Sequence, residues 1–538
     1  MDYKKLYLKL IDRVKQLNKI GLALSTEKNT DKLFEMILDE STKISNAAGS
    51  TLYQSNNNKL FFSIIKNEPL NIWQGGISGN EINFPPIKLI LENGDKNLLN
   101  VCAYSAITGD AVNIKDAYKI KQFDFSGMKK FDKATGFKSQ SSLTVPMKDH
   151  EGETIGVIQL FNARDENGKV ISFSEEIIEE IESLASQGAI SLSNKKLVDD
   201  LQEIFESFIK LIALAIDRKS EYTGGHCQRV PELTMMLAEA LEKQTTGKFK
   251  DFKMTDDEKY ELKIAAWLHD CGKVATPVHV VDKSTKLETI FDRIELIKTR
   301  FQSVKDQRKI EFLSDKILLL ENGNISELNK LTKSYNSDIS KLNSDLDLIV
   351  KFNLGAEFMP IEIQNKIKEI GKKTWVENGI KKSLLTQNEI ENLTISKGTL
   401  NPIEREEINN HIVVTLEMLN NLPYPKHLKK VPEFAGGHHE KIDGTGYPMG
   451  LTGNEMSIQA KVMAVADIYE ALTAKDRPYK KGKKLSESMR ILGFMRNDYH
   501  IDKDIFEIFV KEKVYKQYAD LYVAEEQHDS VNELELIN

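Results

Sequence analysis

Long apolar runs, paired cysteines and an excess of positive charge are all missing from this 538-residue sequence. No apolar stretch approaches the roughly 18 residues of a membrane-spanning helix, so no membrane span is expected. Three cysteines (Cys102, Cys227, Cys271) show no CxxC spacing, which argues against a disulfide framework or a zinc-thiolate site and fits a reducing, cytoplasmic setting. With 74 Lys and Arg against 81 Asp and Glu, the net charge is −7, which speaks against a general DNA or RNA binder. The opening MDYKKLYLKLIDRVKQ reads as an amphipathic helix rather than a secretory signal, with Leu6, Leu10, Val14 and Leu17 on one face.

The chain is too long for one core, so several domains are expected. Residues 1–25 read as an N-terminal helix. From 26 to 190 the texture is mixed α/β. A helix pattern covers Thr30–Ser45, and two β-rich segments, Ser141–Met147 and Thr154–Ala163, flank the turn-rich KDHEGE, predicting an antiparallel hairpin. Ser174 is placed to cap a helix beginning with Glu175 and Glu176. Residues 185–216 contain no proline and a single glycine, Gly188, with apolar residues at helical spacing (Ile190, Leu197, Leu201, Ile204, Phe208, Leu211). This predicts a continuous connecting helix, assigned to 191–210, that pairs with its mate in a homodimer. Residues 211–525 read as an almost wholly helical domain, and 526–538 as a tail. Within that domain, 288–398 is expected to be an inserted antiparallel helical hairpin, its first run carrying Leu287, Ile290, Ile294, Ile297, Phe301 and Val304, and its second starting at Ile325. A scaffold or dimer element is the plainer role for it, a gating lid the other.

The ten histidines are ordinary in number; what stands out is where several of them sit, beside acids and turn formers. HHEKIDGTGYP, His438–Pro448, sets two adjacent histidines before two glycines and a proline. LKIAAWLHDCGK, Leu262–Lys273, ends an apolar helix on the pair His269–Asp270, where an imidazole and a carboxylate can ligate one cation and the carboxylate can bridge to a second. His226 follows two glycines at a helix start, and His411 lies on the inward face of a helix begun by Pro402, shared with Ile408 and Leu416. Asp467 sits in the apolar run AKVMAVADIYEALT, where a carboxylate is costly unless paired or metal-bound. Arg477 and Lys480 beyond it are placed to meet an anionic substrate.

Two resemblances rest on these residues. Phe131–Gly168, FDKATGFKSQSSLTVPMKDHEGETIGVIQLFNARDENG, resembles the GAF domains that precede cyclic-nucleotide phosphodiesterase domains. Ala163 after Asn162, and Ile177 and Ile178 after Phe173, depart from the nucleotide-binding members, so dimerisation or signal relay is the plainer role and direct small-molecule sensing the other. YTGGHCQRV, LHDCGK, EINNH, HHEKIDGTGYP and VADIYEALT…DRPY, in that order, resemble an HD-GYP domain of the HD phosphohydrolase superfamily. That resemblance implies hydrolysis of cyclic di-GMP at two or three iron or manganese ions, with linear pGpG as the product and GMP as the alternative end product. It implies His226, His269, Asp270, His411, His438, His439 and Asp467 as metal ligands, with Asp270 bridging, and Lys273 beside Asp270 in catalysis. Arg477, Lys480, Tyr447 and Gly446 would meet the substrate. Tyr222 stands where some members carry a third-metal glutamate, with Glu221 one residue off, which favours two divalent ions. Another cyclic dinucleotide such as cyclic GMP-AMP is the alternative substrate. A non-catalytic protein signalling through the GYP loop and the insertion is the alternative of another class.

Overall fold

The computed structural model describes residues 18–27, 29–219, 225–355, 358–474 and 482–537, together with Tyr7 and Lys15. Leu6, Leu10, Val14 and Leu17, Glu221 and Tyr222, and Arg477 and Lys480 lie outside the described residues. The chain divides into two compact units, Met1–Ile204 and Phe205–Asn538.

In the first unit, residues 18–26 are helical and bury Ile20 and Leu24. Helix α1, Thr30–Ser45, is capped by the Asn29 side chain, which accepts from the Lys32 N–H. An antiparallel sheet follows in the order β3-β2-β1-β7-β6-β5. Its strands are β1 (Ala47–Asn56), β2 (Lys59–Asn67), β3 (Ile72–Gly75), β5 (Val112–Ile114), β6 (Ser142–Lys148) and β7 (Thr154–Arg164). The short β4 (Ile87–Lys88) pairs with β2, and β8 (Val170–Ile171) with β7. Alternation along the strands sends Leu143, Val145, Met147, Ile158 and Leu160 into one core with α1, and Tyr53 and Val157 into another with Phe123, Phe125 and helix α2 (Val101–Thr108). Asn162 adopts φ 56°. Its side chain accepts from Gln140 and Ser141 N–H and donates to the Lys138 carbonyl, so this asparagine ties the loop ahead of β6.

The continuous helical stretch expected across 185–216 lies within one helix, α3 (Glu175–Lys219), that runs for 45 residues. Its early turns bury Ile181, Leu184 and Ala189 in the first unit, and its last turns bury Ile209, Ala213 and Ile216 in the second.

The second unit is helical around one large core. Among its helices are α4 (His226–Glu242), α5 (Asp256–Leu268), α12 (Ile458–Thr473) and α13 (Lys503–Lys511). The insertion folds around a separate core of Leu287, Ile297, Phe301, Leu342, Ile349, Ile367 and Leu393. It is more than the expected hairpin. The two long helices α6 (Ile294–Glu321) and α7 (Leu328–Asn353) are followed by α8 (Ile361–Gly371), a two-stranded sheet of β9 (Thr374–Glu377) and β10 (Ile380–Ser383), and α9 (Gln387–Leu393). Asn378 (φ 50°) and Gly379 (φ 78°) form its turn, the left-handed pair that tight hairpins require. The first run also begins later than its apolar spacing suggests: Leu287 and Ile290 precede the helix, and Ile290 is 94% exposed.

Candidate metal centre

His226, His269, His411 and Asp467 stand at a helix end or inside a helix, Asp270 opens a 3-10 turn, and His438 and His439 lie in the turn after the short helix Val431–Gly436. The His226 helix, α4, begins at His226 itself, after Gly225 in the left-handed region. Helix α5 starts on a reciprocal cap between Thr255 and Glu258 and ends with His269 as its C-terminal cap. A 3-10 turn, Cys271–Val274, follows Asp270. Its Gly272 lies so close to the His411 helix that a Cβ there would stand 1.9 Å from the His411 carbonyl oxygen and 2.5 Å from the Thr415 nitrogen. Gly272 N–H donates to Thr415 Oγ1 at 2.9 Å, locking the two segments together. The helix expected across 402–420 is two abutting helices, α10 (Pro402–Asn409) and α11 (His411–Asn420). The ladder breaks beside His411, whose ring takes the Ile408 carbonyl.

The seven residues implied as ligands converge. Asp270, His411, His438 and His439 offer ligand atoms within 4.8 Å of one another, and so do His226, His269 and Asp467. Asp270 joins the two sets. Its Oδ1 is 3.2 Å from His411 Nε2, while its Oδ2 is 3.3 Å from His226 Nε2 and 3.4 Å from His269 Nε2. Asp467 Oδ1 lies 3.2 Å from His226 Nε2 and 3.8 Å from His269 Nε2.

The imidazoles are oriented from behind. His269 Nδ1 donates to the Ala266 carbonyl at 2.8 Å and His438 Nδ1 to the Ala435 carbonyl at 2.6 Å, and His411 Nδ1 donates to Ile408. Each acceptor is three residues upstream. His226 Nδ1 instead meets Glu470, which is 1% exposed and held in turn by Arg229 Nε at 2.6 Å. A carbonyl acceptor requires the proton on Nδ1, so Nε2 of His269, His411 and His438 is left with a lone pair, the arrangement of a metal-binding imidazole; the acids around His226 favour its charged form, from which a bound metal would displace the Nε2 proton. Glu470 escaped the sequence reading. Its signal was its place three residues after Asp467, on the same helix face. Glu470→Ala is expected to lower metal affinity roughly 10- to 100-fold, measured by metal titration. Unchanged affinity would remove Glu470 from the support of His226.

Charge in the cluster is sharply partitioned. Burial opposes ionisation of Asp270 and Asp467, yet Lys273 and His269 hold Asp270, and His226 with His438 and His269 hold Asp467, well below the usual carboxylate range. Burial likewise opposes a charged His226, but Glu470, with Asp270 and Asp467, raises its pKa well above the ordinary value. His438 is pushed well down, and His439 to about 4, by burial first of all. Lys273 Nζ lies 2.5 Å from Asp270 Oδ2. Asp270 Oδ1, His411 Nε2 and His438 Nε2 are buried with no hydrogen-bond partner. Leaving such an atom unsatisfied costs roughly 1–3 kcal/mol, and three of them converge here, as a cation requires. Among the described residues, the two ligand sets consist of nitrogen and oxygen donors. Neighbouring Cys271 is pushed up to about 11 by burial, so it does not add a thiolate.

The GYP loop closes one side. The Glu440 carboxylate accepts from Met449 N–H at 2.7 Å and Leu451 N–H at 2.9 Å. Asp443 accepts from the N–H and hydroxyl of Thr445, both at 2.8 Å. Tyr447 stacks on His439, ring centroids 4.9 Å apart at 26°. Gly446 faces protein backbone, where a Cβ would stand 2.3 Å from the Lys441 nitrogen. That close approach gives Gly446 a packing reason of its own.

Two family models match the chain: a GAF domain over residues 29–192 and an HD domain over 383–505. The chain carries both domains. The HD match contains His411, His438, His439 and Asp467, and the remaining ligand-type residues precede it. Among curated relatives, "Cyclic di-GMP phosphodiesterase PA4108" of Pseudomonas aeruginosa is 47% identical over 74 residues, 14% of this chain and 17% of that protein. A "Cyclic di-GMP phosphodiesterase" of Thermotoga maritima is 32% identical over 138 residues, 26% of this chain and 36% of that protein. A "3'3'-cGAMP-specific phosphodiesterase 1" of Vibrio cholerae is 38% identical over 95 residues, 18% of this chain and 21% of that protein. The chain therefore spans well under half the length of these relatives. No helix among the described residues is long and apolar enough to cross a membrane.

Proposed function

We propose that this chain, in which a GAF domain is joined to an HD domain, is a metal-dependent phosphodiesterase that opens cyclic di-GMP to linear pGpG, with further cleavage to GMP the alternative end point. One observation carries the reading: three imidazoles, each tied at Nδ1, set Nε2 within 3.2–3.8 Å of two buried carboxylates, and Asp270 presents one oxygen to each set. Names of relatives as cyclic dinucleotide phosphodiesterases support the substrate class.

His226, His269 and Asp467 would hold one divalent ion and His411, His438 and His439 a second, with Asp270 shared. Two such ions supply Lewis-acid polarisation of the phosphodiester and a nucleophile near neutral pH. Imidazole and carboxylate donors without thiolate suit iron or manganese as well as zinc. Lys273 brings fixed positive charge beside Asp270. Its pKa, lowered by burial but raised more by Asp270 and Asp467, ends above the ordinary lysine value. Lys273 therefore stays protonated and serves to neutralise phosphoryl charge rather than to donate a proton. Arg477 and Lys480 would pair with the substrate's phosphates and Tyr447 would contact a base at the pocket mouth.

The chain would act in the cytoplasm as a homodimer, with the GAF domain relaying dimer state or a small-molecule ligand. Exposed Leu197, Leu201, Ile204, Phe208 and Leu211 on α3 support the dimer, because they alternate at spacings of four and three, the pattern of a coiled-coil seam. Light scattering is expected to give twice the chain mass, and the mass of a single chain at micromolar concentration would refute the pairing.

Purified protein loaded with iron or manganese without oxygen, incubated with cyclic di-GMP, should yield pGpG by chromatography. Cyclic GMP-AMP is the second substrate to test, since several Vibrio cholerae relatives carry that name. Turnover of neither would sink the enzyme reading and leave a binding role.

A further inference from the structure

Helix α3 ends at Lys219, and its last turn holds two separate segments of the metal centre. The Lys219 ammonium donates to the Lys273 carbonyl at 3.0 Å, to the Thr276 carbonyl at 2.7 Å, and to the Val274 carbonyl. These oxygens close the 3-10 turn that follows Asp270 and carries Lys273. Two residues earlier on α3, the Asp217 carboxylate accepts from Gly225 N–H at 3.1 Å and Cys227 N–H at 3.3 Å. Those two N–H groups bracket His226, and Asp217 is 3% exposed.

The physics of both contacts is that of helix ends. The first N–H groups of a helix favour an anion and the last carbonyls of a turn favour a cation; of the three carbonyls here, that of Lys273 also accepts from Thr276 N–H at 3.2 Å. One helix end thus supplies the anion to the start of the His226 helix and the cation to the end of the Lys273 turn. Between the two charges lies less than one helical turn, so they cannot move independently.

Resting on the proposed metal-dependent reading, we infer that Asp217 and Lys219 are positioning residues. They set the placement of His226 against the Asp270–Lys273 segment, and a rotation or axial shift of α3 is transmitted to the centre through them. The long helix then ends as a coupling element and not simply as a spacer. Asp217 acts on a ligand, so its loss should reach the metal. Lys219 acts on the backbone of Lys273, which is no ligand, so its loss should reach the rate.

The test uses the full chain and four variants: Asp217→Asn, Lys219→Met, and the conservative Asp217→Glu and Lys219→Arg. Backbone hydrogen exchange, metal content, kcat and KM are measured on each. In Lys219→Met, exchange at 273–276 should rise and kcat fall about tenfold or more, with KM and metal content unchanged and Lys219→Arg restoring most of the rate. In Asp217→Asn, exchange at 225–228 should rise and bound metal should fall from two ions toward one, with Asp217→Glu retaining more. Wild-type exchange and metal content in both Asp217→Asn and Lys219→Met would overturn the inference. So would a lower melting temperature accompanied by unchanged kcat, KM and metal per folded chain. If the wild-type protein turns over no cyclic dinucleotide, the substrate reading fails by itself, while exchange and metal content still decide the role of the helix end.

Discussion

Asp270→Ala is expected to lose bound metal and phosphodiesterase activity together. Asp270 faces both ligand sets, with Oδ1 toward His411 and Oδ2 toward His226 and His269. Outer-shell partners alone are worth roughly 10- to 100-fold in metal affinity. Removal of a carboxylate shared by two ions should exceed that, and kcat should drop to background. The substitution also leaves Lys273 and the surrounding imidazoles without their central negative charge, which makes the site more repulsive to a cation. Elemental analysis of the purified variant is the decisive readout. Full occupancy at the wild-type level would show that Asp270 does not bridge.

Lys273→Ala should separate what Asp270→Ala joins: metal stays and rate falls. Lys273 contributes charge near Asp270 but no ligand atom, and Asp270 keeps His269 and His226 as partners without it. Loss of one preorganised charge at a developing anion typically costs roughly 100- to 1,000-fold in kcat, and that is the size expected. Because Lys273 is held protonated, the wild-type rate should show no fall from its deprotonation between pH 6 and 9, so the variant should be slow by a constant factor across that range. Loss of metal in Lys273→Ala, or a factor that varies steeply with pH, would give the lysine a different role.

The histidines and Asp467 were readable from sequence because each stands out from its surroundings, beside glycines, at the end of an apolar helix, or as a charge in an apolar run. The support behind them was harder to see. Glu470 carries a signal only in its place three residues after Asp467 in the same apolar run, whereas Glu440 stands in the polar stretch EKID, and its burial at 1% exposure is what reveals it as a partner. Backbone carbonyls such as Ala266, Ile408 and Ala435 have no sequence signal at all. The break between α10 and α11 is equally silent, since Asn409, Asn410 and His411 include neither proline nor glycine, and it arises from what the His411 ring does. The β9–β10 hairpin did carry a signal, Asn378–Gly379, but its strands are short and largely exposed, so apolar alternation never marked them. The GAF sheet was more legible, because β6 and β7 bury long apolar runs around a turn-rich loop.

Counting the ions bound by the wild-type chain tests the centre most directly. Protein reconstituted without oxygen in excess iron or manganese, then freed of unbound metal, should retain two ions per chain, as two ligand sets sharing Asp270 require. One ion or none in folded protein, at any metal tested, would contradict a two-ion centre built from these seven residues.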